Sequence, residues 1–314
     1  MKDYKNTDLI YGCMGLGGEW NDSPIRKEDI THAEKALSTA IDSGITSFDH
    51  ADIYTDGKAE TVFGMFLKNN PGIREKIKIQ SKAGILLRAD TSGSSIFNNS
   101  KDYITQQVEI IMKRLQVDYL DSLLIHRPDP LTTNEELAET LTYLIDQGYT
   151  KKVGVSNMEM SKINALQKHL STPIFANQIQ FGLGHSHLVS NTVLFNTNRI
   201  TDHSLSGLYE YAQNKDFEIQ AWGAFDRGLY LNNESTDESV IKTNRLLVEL
   251  AKKYDTAPIT IQLAWLQYIP ITLRPIIGTT NPERIRQCAD SSTIELSRED
   301  WYSLWISALG EKLP

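Results

Sequence analysis

His32-Ala33-Glu34-Lys35-Ala36-Leu37-Ser38-Thr39-Ala40-Ile41-Asp42-Ser43-Gly44-Ile45-Thr46-Ser47-Phe48-Asp49-His50-Ala51-Asp52-Ile53-Tyr54 is the stretch whose reading decides the fold. His32 to Ser43 has the pattern of an amphipathic helix, and Gly44 ends it because glycine tolerates the left-handed backbone of a helix exit. Ile45 to Asp49 then reads as a short buried strand that ends in a carboxylate, with Tyr54 five positions beyond it. Helix, glycine, apolar strand and polar strand end make one unit of an alternating chain. By themselves Asp49 and Tyr54 carry little, because an Asp at a strand end more often caps a turn and a lone Tyr more often packs.

The same unit recurs in both directions. Toward the N-terminus, Leu9 to Cys13 reads as a strand followed by the glycine loop Met14-Gly15-Leu16-Gly17-Gly18. Toward the C-terminus come a helix from Glu60 to Lys68 and a strand from Ile77 to Ser81 with Lys82 just past its end. A helix from Asp102 to Leu115 follows, striped by Ile104, Val108, Ile111 and Leu115 and capped by Asp102. Ser122 to Ile125 is a strand with His126 at its end. Asn134 to Gln147 is a helix closed by Gly148, before a strand from Lys152 to Val155 that runs into Ser156-Asn157. Helix Ser161 to His169 precedes strand Ile174 to Ile179, which carries Gln178. Phe181 to Ser206 is a long irregular loop, of a length usually functional or mobile. Helix Leu205 to Asn214, strand Phe217 to Trp222, helices Glu238 to Tyr254 and Thr260 to Gln267, and strand Leu273 to Ile277 complete the series. Gly278-Thr279-Thr280-Asn281-Pro282 opens a final helix.

Eight strands, each followed by helix, predict a parallel sheet. The G-x-G-x-x-G signature of an open dinucleotide-binding sheet is not formed by Gly12, Gly15, Gly17 and Gly18. The expectation is therefore a closed (β/α)8 TIM barrel, one domain over residues 1–314. In that architecture catalytic residues stand at the carboxyl ends of strands, where Asp49, Lys82, His126, Asn157, Gln178 and Trp222 fall.

Composition removes several classes of function. Apolar residues at 40% and charged residues at 23% of the 314 are ordinary for a globular chain. A formal charge of −8 repels nucleic-acid phosphates and anionic lipid, so neither is an expected partner. The N-terminus has no signal-peptide pattern, and no run reaches the about 18 apolar residues of a membrane helix. Two cysteines, Cys13 and Cys288, form no disulfide framework and no CxxC spacing, which predicts a reducing cytoplasm. His185, His187 and His203 share one loop region without an acid or cysteine to complete a metal site. Oligomeric state is not legible.

Asp49, Lys82 and His126 end three successive strands, and Tyr54 follows the first. A free phenol titrates near pH 10; a nearby ammonium lowers that value, and Asp49 would keep Lys82 charged and aimed. Tyr54 then becomes a general acid, and His126 can polarise and orient a carbonyl oxygen. A Schiff-base role for Lys82 is the competing lyase chemistry, and the neighbouring Asp49 argues against it by keeping the lysine protonated.

Several motifs in order resemble the aldo-keto reductase family: Phe48-Asp49-x4-Tyr54-x5-Glu60-x3-Gly64, Lys82 after a strand, Leu124-Ile125-His126-Arg127-Pro128-Asp129, Gly154-Val155-Ser156-Asn157, Asn177-Gln178, and Ile276-Ile277-Gly278-x5-Arg284. The resemblance implies a TIM barrel that binds NADPH without a Rossmann domain and reduces aldehydes or ketones. It makes Tyr54 the proton donor, tuned by Lys82 and Asp49, with His126 orienting the carbonyl. Ser156, Asn157 and Gln178 match residues that hold the nicotinamide amide, and Trp222 matches the ring on which nicotinamide stacks.

Gly223, Ala224 and Phe225 stand where the family more often has Ser-Pro-Leu, leaving backbone amides, with Arg227 beyond, for the pyrophosphate. Gly278, Thr279, Thr280 and Arg284 occupy the last strand-to-helix junction, a phosphate position with Arg284 facing the adenosine 2′-phosphate. Gly278 replaces a lysine of many relatives, and Gln287-Cys288 replaces Glu-Asn. NADPH is favoured over NADH because Arg284 remains. Cys13 and Met14 border the cofactor in this reading. The resemblance also allows a cofactor-binding sensor like the potassium-channel beta subunits, with little turnover. Tyr103, Phe181 and Phe225 are candidates for an apolar substrate pocket, and His50, Asp52 and Ile53 for substrate contact.

Overall fold

The computed structural model describes residues 9–87, 95–194, 197, 205–214, 216–232 and 235–314. Its strands are β1 (Ile10–Gly12), β2 (Ser47–Asp49), β3 (Lys78–Ala83), β4 (Ile85–Leu87), β5 (Ser95–Phe97), β6 (Ser122–Ile125), β7 (Val153–Ser156), β8 (Ile174–Gln180), β9 (Glu218–Trp222) and β10 (Leu273–Ile277). Eight of them close into a barrel in the order β1-β10-β9-β8-β7-β6-β3-β2, with helices between successive strands. The (β/α)8 fold predicted from the repeating unit is the one observed. β4 and β5 form a separate antiparallel hairpin, absent from the expected pattern.

The chain divides into two compact units. One comprises Ile10–Asn177 with Gly278–Pro282, and the other contains Gln178–Ile277 and Glu283–Pro314. In the first, parallel pairing sets Gly12 opposite Asp49 and Asp49 opposite Gln80, then Lys82 opposite Leu124 and Leu124 opposite Gly154. Strands covered on both faces need apolar residues throughout, and Phe48, Ile79, Leu123, Leu124, Ile125, Val153 and Val155 are fully buried. The helix Lys101–Leu115 seats Ile104, Val108, Ile111 and Leu115, all fully buried, as the stripe predicts. Asp102 does not cap it: Ser100 occupies that position and Asp102 lies in the first turn. Helix Asn134–Asp146 begins with a reciprocal cap, in which Glu136 N–H donates to Thr133 Oγ1 at 3.2 Å and Thr133 N–H to Glu136 Oε2 at 2.9 Å.

Two boundaries matter for the site. Lys82 is inside β3, not beyond it, because the strand runs on to Ala83. The helix expected from His32 begins at Lys27, where Arg26 and Asp29 close the first turn.

In the second unit, Trp265 and Trp301 stack at 5.2 Å and 8°. Each indole N–H donates to the other residue's carbonyl, at 3.1 and 2.9 Å. Phe181 is fully buried against Trp265 at 5.7 Å, so it belongs to the core and not to a substrate pocket. The loop expected over Phe181 to Ser206 contains the helix His187–Val193. Past Pro282–Ala289 stands a further helix, Arg298–Leu309, that packs Trp301, Leu304 and Trp305 inward.

Candidate active site

Asp49 ends β2 and Lys82 is the penultimate residue of β3. Lys82 Nζ donates to Asp49 Oδ2 at 2.6 Å, and the two side chains are 0% and 2% exposed. A buried pair of this kind holds only if its remaining valences are met. Gln80, two residues before Lys82 and therefore on the same face of the strand, donates from Nε2 to Asp49 Oδ1 at 2.7 Å. Gln80 Oε1 in turn accepts from Ser122 Oγ at 3.2 Å. Gln80 was not among the expected site residues; the period-2 alternation Gln80, Lys82 was the signal.

Tyr54 and His126 complete the cluster. Lys82 Nζ lies 4.9 Å from the centre of the Tyr54 ring. The Tyr54 and His126 rings meet edge to face at 6.2 Å and 85°. Burial works against the Lys82 ammonium, but Asp49 and Tyr54 outweigh it and hold the lysine above its ordinary pKa. Lys82 stays charged, as the sequence predicts. Tyr54 departs from expectation. Burial raises its pKa, Lys82 lowers it and Asp49 raises it again, and the net lies above the ordinary phenol value. The ammonium moderates the phenol without making it a stronger acid than a free one. His126 is held neutral, because burial and the nearby Lys82 and Arg127 cations drive its pKa well below the usual imidazole value. Its Nδ1 is buried without a hydrogen-bond partner among the described residues. A neutral imidazole still donates one hydrogen bond.

His50 and Asp52 turn inward instead of toward a substrate. His50 is fully buried, edge-on to Phe63 at 4.5 Å, with its pKa lowered to about 3 by burial and Lys82. Asp52 is 4% exposed, and burial and Glu60 raise its pKa to about 8. Ile53 remains half-exposed. Tyr103 donates its hydroxyl to the Ile85 carbonyl at 3.0 Å.

The cofactor positions assigned by resemblance are described within each unit. In the first, Ser156 ends β7, and Asn157 follows in the left-handed region at φ 52°. Asn157 Nδ2 donates to Ser156 Oγ at 2.7 Å. Cys13 is buried, and its thiol is pushed well up by burial and Asp49, while Met14 is exposed. A Cβ placed on Gly278 would meet nothing within 4 Å, so the backbone there is open to a ligand. Thr279 Oγ1 accepts from Asn281 N–H at 3.2 Å, and Thr280 faces Gly15, where a Cβ would come within 3.3 Å.

In the second unit, Gln178 Nε2 donates to Gln220 Oε1 at 3.0 Å. Trp222 ends β9 half-exposed, Gly223 takes φ 70°, Ala224 is buried and Phe225 half-buried. Asp226 and the exposed Arg227 follow at φ 49° and 57°. Arg284 and Gln287 lie on the helix Pro282–Ala289. Gln287 Nε2 donates to Glu283 Oε1 at 3.3 Å, and its carbonyl accepts from Thr260 Oγ1 at 2.8 Å. Within the first unit, the Ser156 hydroxyl and Asn157 amide at a strand end and the side-chain-free backbone of Gly278 before a helix N-terminus have the chemistry to meet an amide and a phosphate.

Asp226 gives a test of the loop after β9. Its Oδ2 accepts from Gly184 N–H at 3.0 Å, yet burial outweighs that bond and raises its pKa to about 6. The folded chain therefore binds this proton more tightly than the unfolded chain does. Stability from this group is present at acid pH and declines as pH rises through roughly 4 to 6. Asp226→Asn keeps an acceptor for Gly184 and removes the ionisation. Its melting temperature at neutral pH is expected to exceed that of the parent by a few degrees, with the gap closing near pH 4, and an equal gap at both would refute the account.

Among the described residues no group of three or more His, Cys, Asp or Glu is arranged to hold a metal ion. His185 and His187 meet edge to face at 4.6 Å, and His203 lies outside the described residues. No helix among them is long and apolar enough to cross a membrane.

A sequence model described as "Aldo/keto reductase family" matches residues 8–305. The 6-dehydroglucose reductase of Agrobacterium fabrum (strain C58) is 30% identical over 308 residues, 97% of this chain and 95% of that protein. A thermostable aldo-keto reductase solved with the inhibitor epalrestat is 26% identical with a TM-score of 0.73, covering 96% of this chain and 94% of its own. An aldo-keto reductase of Klebsiella pneumoniae solved with NADPH is 22% identical with a TM-score of 0.72, covering 95% and 89%; at that identity the likeness is one of fold.

Proposed function

The chain belongs to the aldo/keto reductase family, and on that premise we propose that it reduces the carbonyl carbon of an aldehyde or ketone with NADPH, Tyr54 giving the proton. The observation that carries the reading is the buried Lys82–Asp49 pair with Lys82 Nζ held 4.9 Å from the centre of the Tyr54 ring. NADPH, when bound, supplies the hydride.

Tyr54 stays protonated through neutral pH, since its pKa lies above the ordinary phenol value. It releases its proton only as the substrate oxygen becomes an alkoxide, a stronger base than phenolate, and Lys82 then stabilises the phenolate left behind. Asp49 keeps Lys82 charged and aimed. Neutral His126 donates a hydrogen bond to the carbonyl oxygen and turns it toward Tyr54.

For the cofactor, Ser156, Asn157 and Gln178 hold the nicotinamide amide and Trp222 its ring. Gly223, Ala224, Phe225 and Arg227 serve the pyrophosphate, and Gly278, Thr279, Thr280, Arg284 and Gln287 the adenosine phosphates. Cys13 and Met14 border the ring. NADPH in the Klebsiella structure supports the choice of cofactor. The name of the Agrobacterium relative supports including oxo-sugars among the substrates. Residues 1–314 acting as one catalytic domain is part of the proposal, supported by a single family model that matches residues 8–305. A cytoplasmic location is also part of it, supported by two free, buried cysteines.

Titration with NADPH and NADH, followed by a panel of small aldehydes, ketones and oxo-sugars, tests the reading. Tighter binding of NADPH and steady loss of its absorbance are expected. Tight binding without turnover would replace the enzyme with the sensor, and no binding would sink both. Arg284→Ala is expected to weaken NADPH about tenfold, the size of one charge-assisted hydrogen bond, with NADH little changed. Equal loss for both dinucleotides would refute the 2′-phosphate contact.

A further inference from the structure

Glu60 and Gly64 stand in the same motif as Asp49 and Tyr54, yet neither enters the chemistry above. Both converge on a residue outside that motif. We propose that Arg114 is the positioning residue of the active-site loop: its guanidinium, locked by Glu60, holds the backbone on both sides of Tyr54 and so aims the phenol. The proposal rests on the reading of Tyr54 as proton donor.

Arg114 is the penultimate residue of the helix Lys101–Leu115. Its Nη1 donates to the Asp52 carbonyl, two residues before Tyr54, at 2.8 Å. The same nitrogen lies 3.3 Å from Glu60 Oε2. Glu60 is fully buried, and its other oxygen accepts from Ser81 Oγ at 2.8 Å, next to Lys82 on β3. On the far side of Tyr54, the guanidinium presses on Gly57: a Cβ there would lie 2.2 Å from Arg114 Cζ and 2.5 Å from Nε and Nη2. Only a glycine lets the planar group come so close. Gly64, about two helical turns past Gly57, admits the backbone of the same residue. A Cβ there would lie 2.2 Å from the Arg114 carbonyl oxygen, so its absence lets helix Lys58–Asn69 lie against the end that carries Arg114.

The loop needs such a clamp. Thr55, Asp56 and Gly57 take φ of 47°, 54° and 82° in succession, and the first, a β-branched residue, rarely adopts that conformation. Thr55 is thus the strained residue of the turn, and strained backbone persists only when its surroundings over-determine it. Thr55 Oγ1, bonded to the Leu16 carbonyl at 3.0 Å and accepting from Ala59 N–H at 3.0 Å, provides one restraint. Arg114 provides the other, reaching the backbone before the turn and the surface after it. Arg114 has no place among the reacting groups, so its effect passes through Tyr54.

Arg114→Met is expected to lower kcat about 10²-fold, the cost of roughly an ångström of misplacement. KM and NADPH affinity should stay within about threefold by the same argument. The substrate is the carbonyl turned over fastest in the panel. In a Tyr54→Phe background the same change is expected to cost nothing further in single turnover, because the group it aims is already gone. Hydrogen exchange supplies a readout that does not need turnover. The Asp52, Tyr54 and Asp56 amides, bonded to the Lys82, Ala51 and Ile53 carbonyls, should exchange about tenfold faster in Arg114→Met. Arg114→Lys keeps the charge against Glu60 without the fork and should recover part of kcat; it takes the place of the methionine variant if that fails to fold. Unchanged exchange, kcat within threefold of the parent, or an independent loss added to Tyr54→Phe would each overturn the proposal. An inactive parent whose exchange still responds to Arg114 would refute the reductase and leave the clamp standing.

Discussion

Tyr54→Phe is expected to leave NADPH binding unchanged and to cut carbonyl reduction by about 10²–10⁴-fold, the usual worth of a positioned general acid. The substitution removes one oxygen and keeps the ring, so the edge-to-face contact with His126 at 6.2 Å and the position of Lys82 over the ring are retained. Lys82 keeps Asp49 as its partner, and the site stays charge-balanced. What is lost is the proton. With the Tyr54 pKa above the ordinary phenol value, the parent's rate should not fall on the alkaline side until beyond about pH 10, and the variant should lack that limb. Undiminished steady-state reduction by Tyr54→Phe would sink the mechanism.

Lys82→Met carries the largest expected cost in stability. Removing the ammonium leaves the Asp49 carboxylate buried, with Gln80 still on Oδ1 but no cation on Oδ2. Breaking one partner of a buried pair costs about 3–5 kcal/mol, a large share of the roughly 5–15 kcal/mol that holds a domain together. Urea unfolding should show the loss directly, and catalysis should fall with it. Lys82→Met/Asp49→Asn removes the stranded charge and should recover most of the stability while leaving activity low. The pair of variants thus separates what Lys82 does for the fold from what it does for Tyr54. A single variant within 1 kcal/mol of the parent would refute the buried-charge account.

The sequence carries the barrel because its period is long and repeated: an apolar strand buried on both faces has few alternatives, and so does a helix whose stripe is Ile104, Val108, Ile111 and Leu115. Strand ends were legible for the same reason, since Asp49, Lys82 and His126 are polar residues where apolar runs stop. Partnership across strands is legible where opposite charges end neighbouring strands, as for Asp49 and Lys82, and less so elsewhere. The alternation with Lys82 puts Gln80 on the right face, but only the β2–β3 register brings it to Asp49, and Arg114 reaches Asp52 from 62 positions away. Lys82 reads as lying past β3 because a charged residue marks a terminus; its pairing with Asp49 lets the strand continue around it. The direction of the Tyr54 pKa depends on burial set against one ammonium, a balance of opposed effects that residue types alone do not weigh. His50 and Asp52 are loop residues as expected, but their polarity suggests contact with substrate, whereas both are enclosed. Helix Arg298–Leu309 follows the last repeat and so falls outside the rhythm from which the others were read.

The stacked Trp265 and Trp301 rings have a consequence for how unfolding is observed. Two stacked, nearly parallel indoles at 5.2 Å and 8° couple their electronic transitions and give a near-ultraviolet circular dichroism signal that vanishes when they part. Of the five tryptophans, only Trp20 lies in the unit that holds Tyr54, and it is 50% exposed. The coupled signal therefore tracks the other unit alone. Comparing its transition with loss of the Tyr54 site asks a question the fold raises by itself, whether the two units melt as one cooperative body.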